Sequence, residues 1–559
     1  MSENKLSQVE IIKKASKGLR GTLKESMNNQ VTGSLFTDDQ SLIKFHGMYQ
    51  QDDRDRREER SAKKLEWLYS FMIRLRLPGG LITADQWLGL HHIAGEHSTG
   101  TIKITTRQTI QLHGILKSHV RPTIKAFNSM GLDSIAACGD VNRNVICSAH
   151  PKQSAIHEEI FAYAGKISAM ALPKTKAYYE IWLEDEKLSD PAKEEDPLYK
   201  DSYLPRKFKV AIAIPPNNDV DVFANDLAMI AIVENNQLLG FNIAVGGGLG
   251  ATHGNPDTYP RLASMLGFVP AGDKTFKVIY ETIGVQRDYG NRSDRKLARL
   301  KYTLDRMGID NFKKELEKRC GFELEEAKPY TFTERRDYFG WHQNHEGNWY
   351  YTIFTENGRI LDDEKLALKT ALYEIAQTRK AQFRFTCNQK VIVSDILPTD
   401  KKEIEAILNK YGVIDHTEKA SAIRRNAIAC VALNTCPLAL AEAQRYLPSL
   451  IDKIEPLLAK YGLIEDDITI RMTGCPNGCG RPYVAEIGLI GSSLGKYNLH
   501  LGGDRLGQRL NTKYKDNLDE AAILSELDLL LSAYSRDKLT GETLGDFAHR
   551  AEWIKQGSI

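Results

Sequence analysis

Three stretches of this chain recur in the same order, and that recurrence restricts its possible folds more than any other feature. "TIKITTRQTIQLHGI" (101–115) resembles "QFRFTCNQKVIVSDI" (382–396), "NRNVICSAHP" (142–151) resembles "RRNAIACVAL" (424–433), and "GFNIAVGGGLG" (240–250) resembles "KYNLHLGGDRLG" (496–507). Each member of the first pair follows a Gly-containing strand start and an amphipathic helix, "GGLITADQWLGLHHIAGE" in one and "GRILDDEKLALKTALYEIAQ" in the other. No single pair would convince. Three in one order imply two copies of a unit of roughly 250 residues, too long a period for a solenoid. The expectation is a pseudo-twofold molecule with a site between its halves. Strands and helices alternate without a sustained βαβ rhythm, which favours α+β.

Four of the eight cysteines are clustered. Cys430 and Cys436 lie in "ACVALNTCPLALAEAQRYLP", and Cys475 and Cys479 in "GCPNGCG". Four thiolates suit a tetrahedral zinc or an iron–sulfur cluster. A five-residue gap is less zinc-like, and a cubane with separated metal corners tolerates it better. Pro437 sits where a helix over "LALAEAQRYL" should begin, which would put Cys436 at a helix N-terminus and favour its thiolate. Gly478 and Gly480 flank Cys479 with bare backbone, so something large and flat could approach its sulfur. Cys138, Cys147, Cys320 and Cys387 are isolated and read as buried structural thiols.

The rest of the composition narrows the setting. The 75 basic and 73 acidic residues leave a net charge of +2, which gives no general reason to expect nucleic acid or a membrane as partner. No stretch approaches the ~20 apolar residues of a membrane span. The start, "MSENKLSQVEIIKKASKGL", lacks the apolar core of a signal peptide, so the expected compartment is the cytoplasm, where clustered thiols bind metal more often than they pair. The mixed-charge run "QQDDRDRREERSAKK" (50–64) reads as a solvated helix or arm, or as a docking surface.

C-x5-C followed by "TGCPNGCGR" resembles the signature of the sulfite and nitrite reductases that contain sirohaem and a [4Fe-4S] cluster. With "FHGMYQQDDRDRR", "RLRLPGG", "DVNRNVIC" and "LPRKFKVAIAIPP", the likeness runs from about residue 19 to about residue 548. It narrows to the haemoprotein (beta) subunits of the NADPH-dependent branch. The resemblance implies ferredoxin-like half-domains plus sirohaem-binding α/β domains. The expected boundaries are a partner-docking arm at 1–65, half-domains at 66–135 and 336–415, and sirohaem-type domains at 136–335 and 416–559. It implies six-electron reduction of sulfite to hydrogen sulfide, with Cys430, Cys436, Cys475 and Cys479 on one cubane and Cys479 also the proximal ligand of the sirohaem iron. NADPH and flavins would sit on a flavoprotein alpha subunit.

Basic residues fit that expectation. Read as one strand, 101–115 puts Lys103, Arg107 and Gln111 on one face and Ile102, Ile104, Ile110 and Leu112 on the other. Such a cationic stripe needs anionic company, which sirohaem carboxylates would supply. Lys207 and Lys209 share a face, and like charges side by side suggest a shared anion. The resemblance adds Arg76 and Arg143 as further substrate residues, and Arg206, Arg299 and Asn477 as sirohaem contacts. Arg206 needs a bend near Pro205 to reach the site. "GGGLGA" (246–251) fits a dinucleotide fingerprint, but the following "THGNPDTYPRLA" makes a poor helix, so a loop at the cofactor edge is expected instead. Two other readings stand beside this one. The same fold could reduce nitrite or draw on ferredoxin. A non-enzymatic metal-cluster protein could bind nucleic acid, although the cationic strand residues alternate with aliphatics rather than aromatics.

Overall fold

The computed structural model describes residues 5–150, 154–174 and 196–554. Its strands form four five-stranded sheets, in two matched pairs. One antiparallel sheet holds, in spatial order, Met48–Asp52, Tyr69–Arg74, Ile110–Ile115, Ile102–Ile104 and Arg359–Ile360. Its mate holds Gly340–Gln343, Trp349–Ile353, Val391–Ile396, Gln382–Phe385 and Leu81–Ile82. Each sheet therefore takes its fifth strand from the other half: Ile360 pairs with Ile102, and Ile82 with Phe383. The core follows the exchange. Trp87, fully buried on the helix Ala84–His97, stacks on Phe383 with ring centroids 4.7 Å apart. That helix starts at a capping box in which Thr83 Oγ1 accepts from Gln86 N and Gln86 Oε1 accepts from Thr83 N.

The other two sheets are mixed. Ile146–Cys147, Val210–Ala213 and Leu227–Glu234 run parallel, then Gln237–Val245 and Ser264–Pro270 turn antiparallel. Ile428–Ala429, Ile470–Thr473, Ile487–Ser493, Lys496–Leu501 and Thr512–Leu518 repeat the pattern. All three sequence repeats fall on equivalent strands, so the pseudo-twofold α+β expectation is borne out. The structure adds a fourth repeat. "IPPNNDVDVFAND" (214–226) and "GCPNGCGRPYVAE" (474–486) align without a gap, because Val210, Val222 and Leu227 match Ile470, Pro482 and Ile487 at one constant spacing. Only the turn glycines and cysteines of one copy disguise it.

That register makes Asp221 and Arg481 counterparts. Both have positive φ, at 46° and 57°. They meet: the buried Asp221 carboxylate faces Arg481 at 3.0 Å, Arg471 at 2.6 Å and Arg335 at 3.2 Å. One first-half carboxylate is thus shared by three cations of the later chain.

Two expectations fail locally. Residues 101–115 are a hairpin, not one strand, because the chain reverses at 105–109 with Thr105 N donating to Thr109 O. Residues 437–446 are turns, and the helix begins only at Leu447. There the amides of Leu440 and Ala441 donate to Gly474 O of the other cysteine segment, at 2.7 and 3.1 Å, instead of closing a helical turn. The charged run 50–64 is partly built in: Gln50–Asp52 belong to a strand, and Arg57 forks onto Asp52 at 2.6 and 2.8 Å. No helix among the described residues is long and apolar enough to cross a membrane.

Candidate functional site

Both cysteine pairs leave the C-terminal ends of adjacent parallel strands. Cys430 follows Ile428–Ala429, and Cys475 and Cys479 follow Ile470–Thr473. Such strand ends are where open α/β sheets place ligands. The loop of Cys430 and Cys436 is closed on itself by Gln444 N donating to Cys430 O at 3.1 Å and Cys436 N to Ala432 O at 3.0 Å. All four thiols are free. Among the described residues, the only three ligand groups within 4.8 Å of one another are Glu158, His345 and Glu346, so no three of these sulfurs approach that closely. A single zinc with Zn–S bonds of ~2.3 Å would bring its sulfurs to about 4 Å. The donor set therefore fits a larger group between the sulfurs, such as a cubane. Burial, reinforced by the sulfur of Cys479, pushes the thiols of Cys430, Cys436 and Cys475 up, Cys436 to about 12. With no helix at Cys436, the dipole argument for its thiolate falls away.

Gly480 has a different reason from the one expected. A Cβ there would stand 2.8 Å from Met472 O and 3.3 Å from Cys430 N, so glycine lets the two cysteine segments touch. Gly478 needs glycine for its φ of +64°. Cys479 is the exposed member of the four, and its carbonyl accepts from Thr106 Oγ1 of the first-half hairpin at 2.9 Å. The glycine-rich loop 246–251 is not followed by a helix; it packs on this turn, with Ala251 N donating to Pro476 O at 2.9 Å.

A cluster of cations lies beside Cys479. Residues 207–209 run alongside 141–143, with Arg143 N donating to Phe208 O and Phe208 N to Val141 O. Because Asn142 pairs with Phe208, strand alternation sends Arg143, Lys207 and Lys209 to the opposite face. Burial pushes Lys207 down to about 7, helped by Arg206 and Arg299, while Cys479 pulls the other way. Lys209 is pushed well down by burial and then by Lys207 and Arg107. Both lysines remain only half-buried, so open space adjoins them. Cations set this close, each depressing the other, call for an anion.

The other expected residues divide. Lys103 lies opposite Gln111, which lies opposite Arg74, so the cationic stripe runs across three strands instead of along one. Lys103 donates to Asn357 O, and burial lowers it to about 7. Gln111, with its amide oxygen turned to the arginine, accepts from Arg74 Nε at 2.9 Å. Arg107 sits in the hairpin turn and is committed to Asn144 O, Val210 O and Asn225 Oδ1. Arg299 forks onto Asp226 at 3.0 and 2.7 Å. Asn477 donates to Cys475 Sγ at 3.4 Å. The chain bends at Pro205 and Arg206, and burial pushes the Arg206 guanidinium down to about 10.

Arg76 is the misfit. Its guanidinium is taken by Asp133 at 2.6 Å and Ser168 at 3.3 Å. The arginine beside Arg143 is Arg74: both donate to Ala137 O, at 3.3 and 3.1 Å. In "RLRLPGG" the choice between two arginines two residues apart turns on where the chain leaves the sheet. Arg76 N donates to Asp133 O, and the side chain follows.

A two-half chain with four spaced thiols beside a cluster of cations defines an iron–sulfur reductase of small anions. The Nitrite/Sulfite reductase ferredoxin-like half domain matches residues 68–130 and 342–411, and the Nitrite and sulphite reductase 4Fe-4S domain matches 162–324. The chain is 64% identical over 556 residues, 99% of itself and 100% of the relative, to the sulfite reductase [NADPH] hemoprotein beta-component of Leptospira biflexa. It is 51% identical to the protein of that name from Bacillus subtilis, over 98% of this chain and 96% of the relative. The structure of Mycobacterium tuberculosis NirA protein superposes with a TM-score of 0.80 at 25% identity, covering 98% of this chain and 97% of that one. The chain belongs to the sulfite reductase haemoprotein beta-component family.

Proposed function

We propose that this chain carries out the six-electron reduction of sulfite to hydrogen sulfide, as the haemoprotein of an assimilatory system that feeds cysteine biosynthesis in the cytoplasm. The cationic cluster carries the reading: Lys207, Lys209 and Arg143 share one face, with Cys479 next to Lys207. Cys430, Cys436, Cys475 and Cys479 would hold a [4Fe-4S] cluster, and Cys479 also the sirohaem iron. When bound, the two centres supply electrons in single steps, which no side chain can store in that number. The chain's own residues do the rest. Arg143 and Arg74 offer planar donor forks for sulfite oxygens. Lys207, poised near neutrality, can release a proton where arginine cannot. Lys103, Gln111 and Arg206 are assigned to sirohaem carboxylates. Arg107, Arg299 and Asn477 are already engaged by protein groups and are assigned to shaping the pocket.

Electrons reach the chain from NADPH through a flavoprotein alpha subunit, with the exposed part of 55–64 assigned as its docking face. The test is a visible spectrum of anaerobically prepared protein with and without sulfite, alongside iron and acid-labile sulfide analysis. A haem-like band that shifts with sulfite, plus cluster iron and sulfide, is expected. Colourless protein containing zinc would overturn the reading. Faster turnover with nitrite, or reduction by ferredoxin but not by the flavoprotein, would move the assignment to the sister branch.

A further inference from the structure

The run "DDRD" at 52–55 does more than present charge to solvent. Its strand, Met48–Asp52, is hydrogen-bonded into a sheet, and the next three residues reach across to the loop that carries Cys436. Arg54 N donates to Asn434 O at 3.2 Å. Arg54 Nη1 donates to Ala439 O at 2.7 Å and to Cys436 O at 3.3 Å. Asp53 Oδ1 accepts from Asn434 Nδ2 at 2.7 Å, and Asp55 pairs with Arg445 at 2.6 Å. One guanidinium thus spans residues 436–439, where the chain has no helix to hold it. Arg54 has no carboxylate of its own among the described residues, since Asp53 is engaged by Asn434 and Asp55 by Arg445. Its charge therefore rests on the cysteine loop.

Resting on the cluster reading above, we propose that Arg54 is a positioning residue for the cluster ligand Cys436, fixing the loop through two carbonyls and favouring the reduced cluster with its positive charge. A cation near a cluster stabilises the form carrying the extra electron, because potential follows net charge and hydrogen bonding around the sulfurs. The anchoring part is separable from charge: both bonds leave the single Nη1, and lysine keeps the charge but ends about one bond nearer the backbone, short of the two carbonyls.

The test uses the full-length holoprotein and three forms: wild type, Arg54→Gln and Arg54→Lys. Iron and acid-labile sulfide per chain, the cluster midpoint by redox titration, and amide hydrogen exchange of 434–441 are measured for each. Arg54→Gln is expected to speed exchange at 434–441 and to move the midpoint to more negative potential. Arg54→Lys is expected to speed exchange while keeping the midpoint near wild type. If Arg54→Gln fails to load a cluster, exchange of the cluster-free wild type and both variants decides, with faster exchange in both variants expected. An unchanged midpoint with unchanged exchange in Arg54→Gln overturns the proposal, as does an equal midpoint shift in both variants. A wild type without cluster iron would instead overturn the function proposed above.

Discussion

Replacing Asp221 by asparagine should be among the most damaging single changes available outside the cysteine turns. The side chain keeps its shape and loses its charge. Three guanidiniums, Arg335, Arg471 and Arg481, face that carboxylate at 2.6–3.2 Å, with side-chain exposures of 1%, 3% and 9%. None can shed its proton cheaply, so the substitution strands buried cations that now repel one another. At ~4 Å and an effective dielectric of 20, each attraction is worth about 4 kcal/mol before desolvation is counted. Removing one partner from a buried ion pair costs about 3–5 kcal/mol, and that is the loss expected for Asp221→Asn at pH 7. The sign with pH follows. Burial pushes the Asp221 carboxyl up, but Arg471, Arg481 and Arg335 together hold it well below the usual carboxylate range. Its stabilisation is therefore complete above about pH 4, the unfolded value, and is lost as acid protonates it. Urea unfolding of both forms between pH 3 and 7 should show a gap that is widest at neutrality and narrows in acid. Arg471→Met in the Asp221→Asn background should restore part of the loss, because it removes one stranded charge. A gap below about 1 kcal/mol at pH 7, or one that does not narrow in acid, would refute the reasoning.

Other consequences concern the cationic cluster. Lys207→Met should keep both prosthetic centres, seen by absorbance, while sulfite turnover with an artificial reductant falls by at least about tenfold; an unchanged rate removes Lys207 from the chemistry. An anion bound beside Lys207 should raise its pKa from about 7, so binding takes up protons and weakens as pH rises from 7 to 9. Calorimetry in buffers of different ionisation heat would measure that uptake, and its absence would show that Lys207 does not meet the anion. Arg74→Met should weaken sulfite binding by about tenfold or more, whereas Arg76→Met should leave it near wild type and lose only the Asp133 and Ser168 contacts. The opposite ranking would return the substrate role to Arg76.

What the chain revealed on its own was its doubling, its four clustered thiols and the alternation that puts Lys207 beside Lys209. These are local or periodic features, written into neighbouring residues, and any fold of this chain must respect them. The family signature around "TGCPNGCGR" rests on the same kind of short-range chemistry. Tertiary structure decided the rest. Strands Leu81–Ile82 and Arg359–Ile360 cross between the halves, and nothing within either strand names its partner. Residues 437–446 carry a helical pattern that yields to hydrogen bonds from Leu440 N and Ala441 N to Gly474 O, distant in sequence but adjacent in space. Arg74 and Arg76 look alike in the sequence and part only where Asp133 captures one of them. Arg54 reads as one charge in a polar run until the Cys436 loop folds beneath it. In each case the energy that decides comes from burial and pairing between distant segments, and those contacts exist only once the chain has closed on itself.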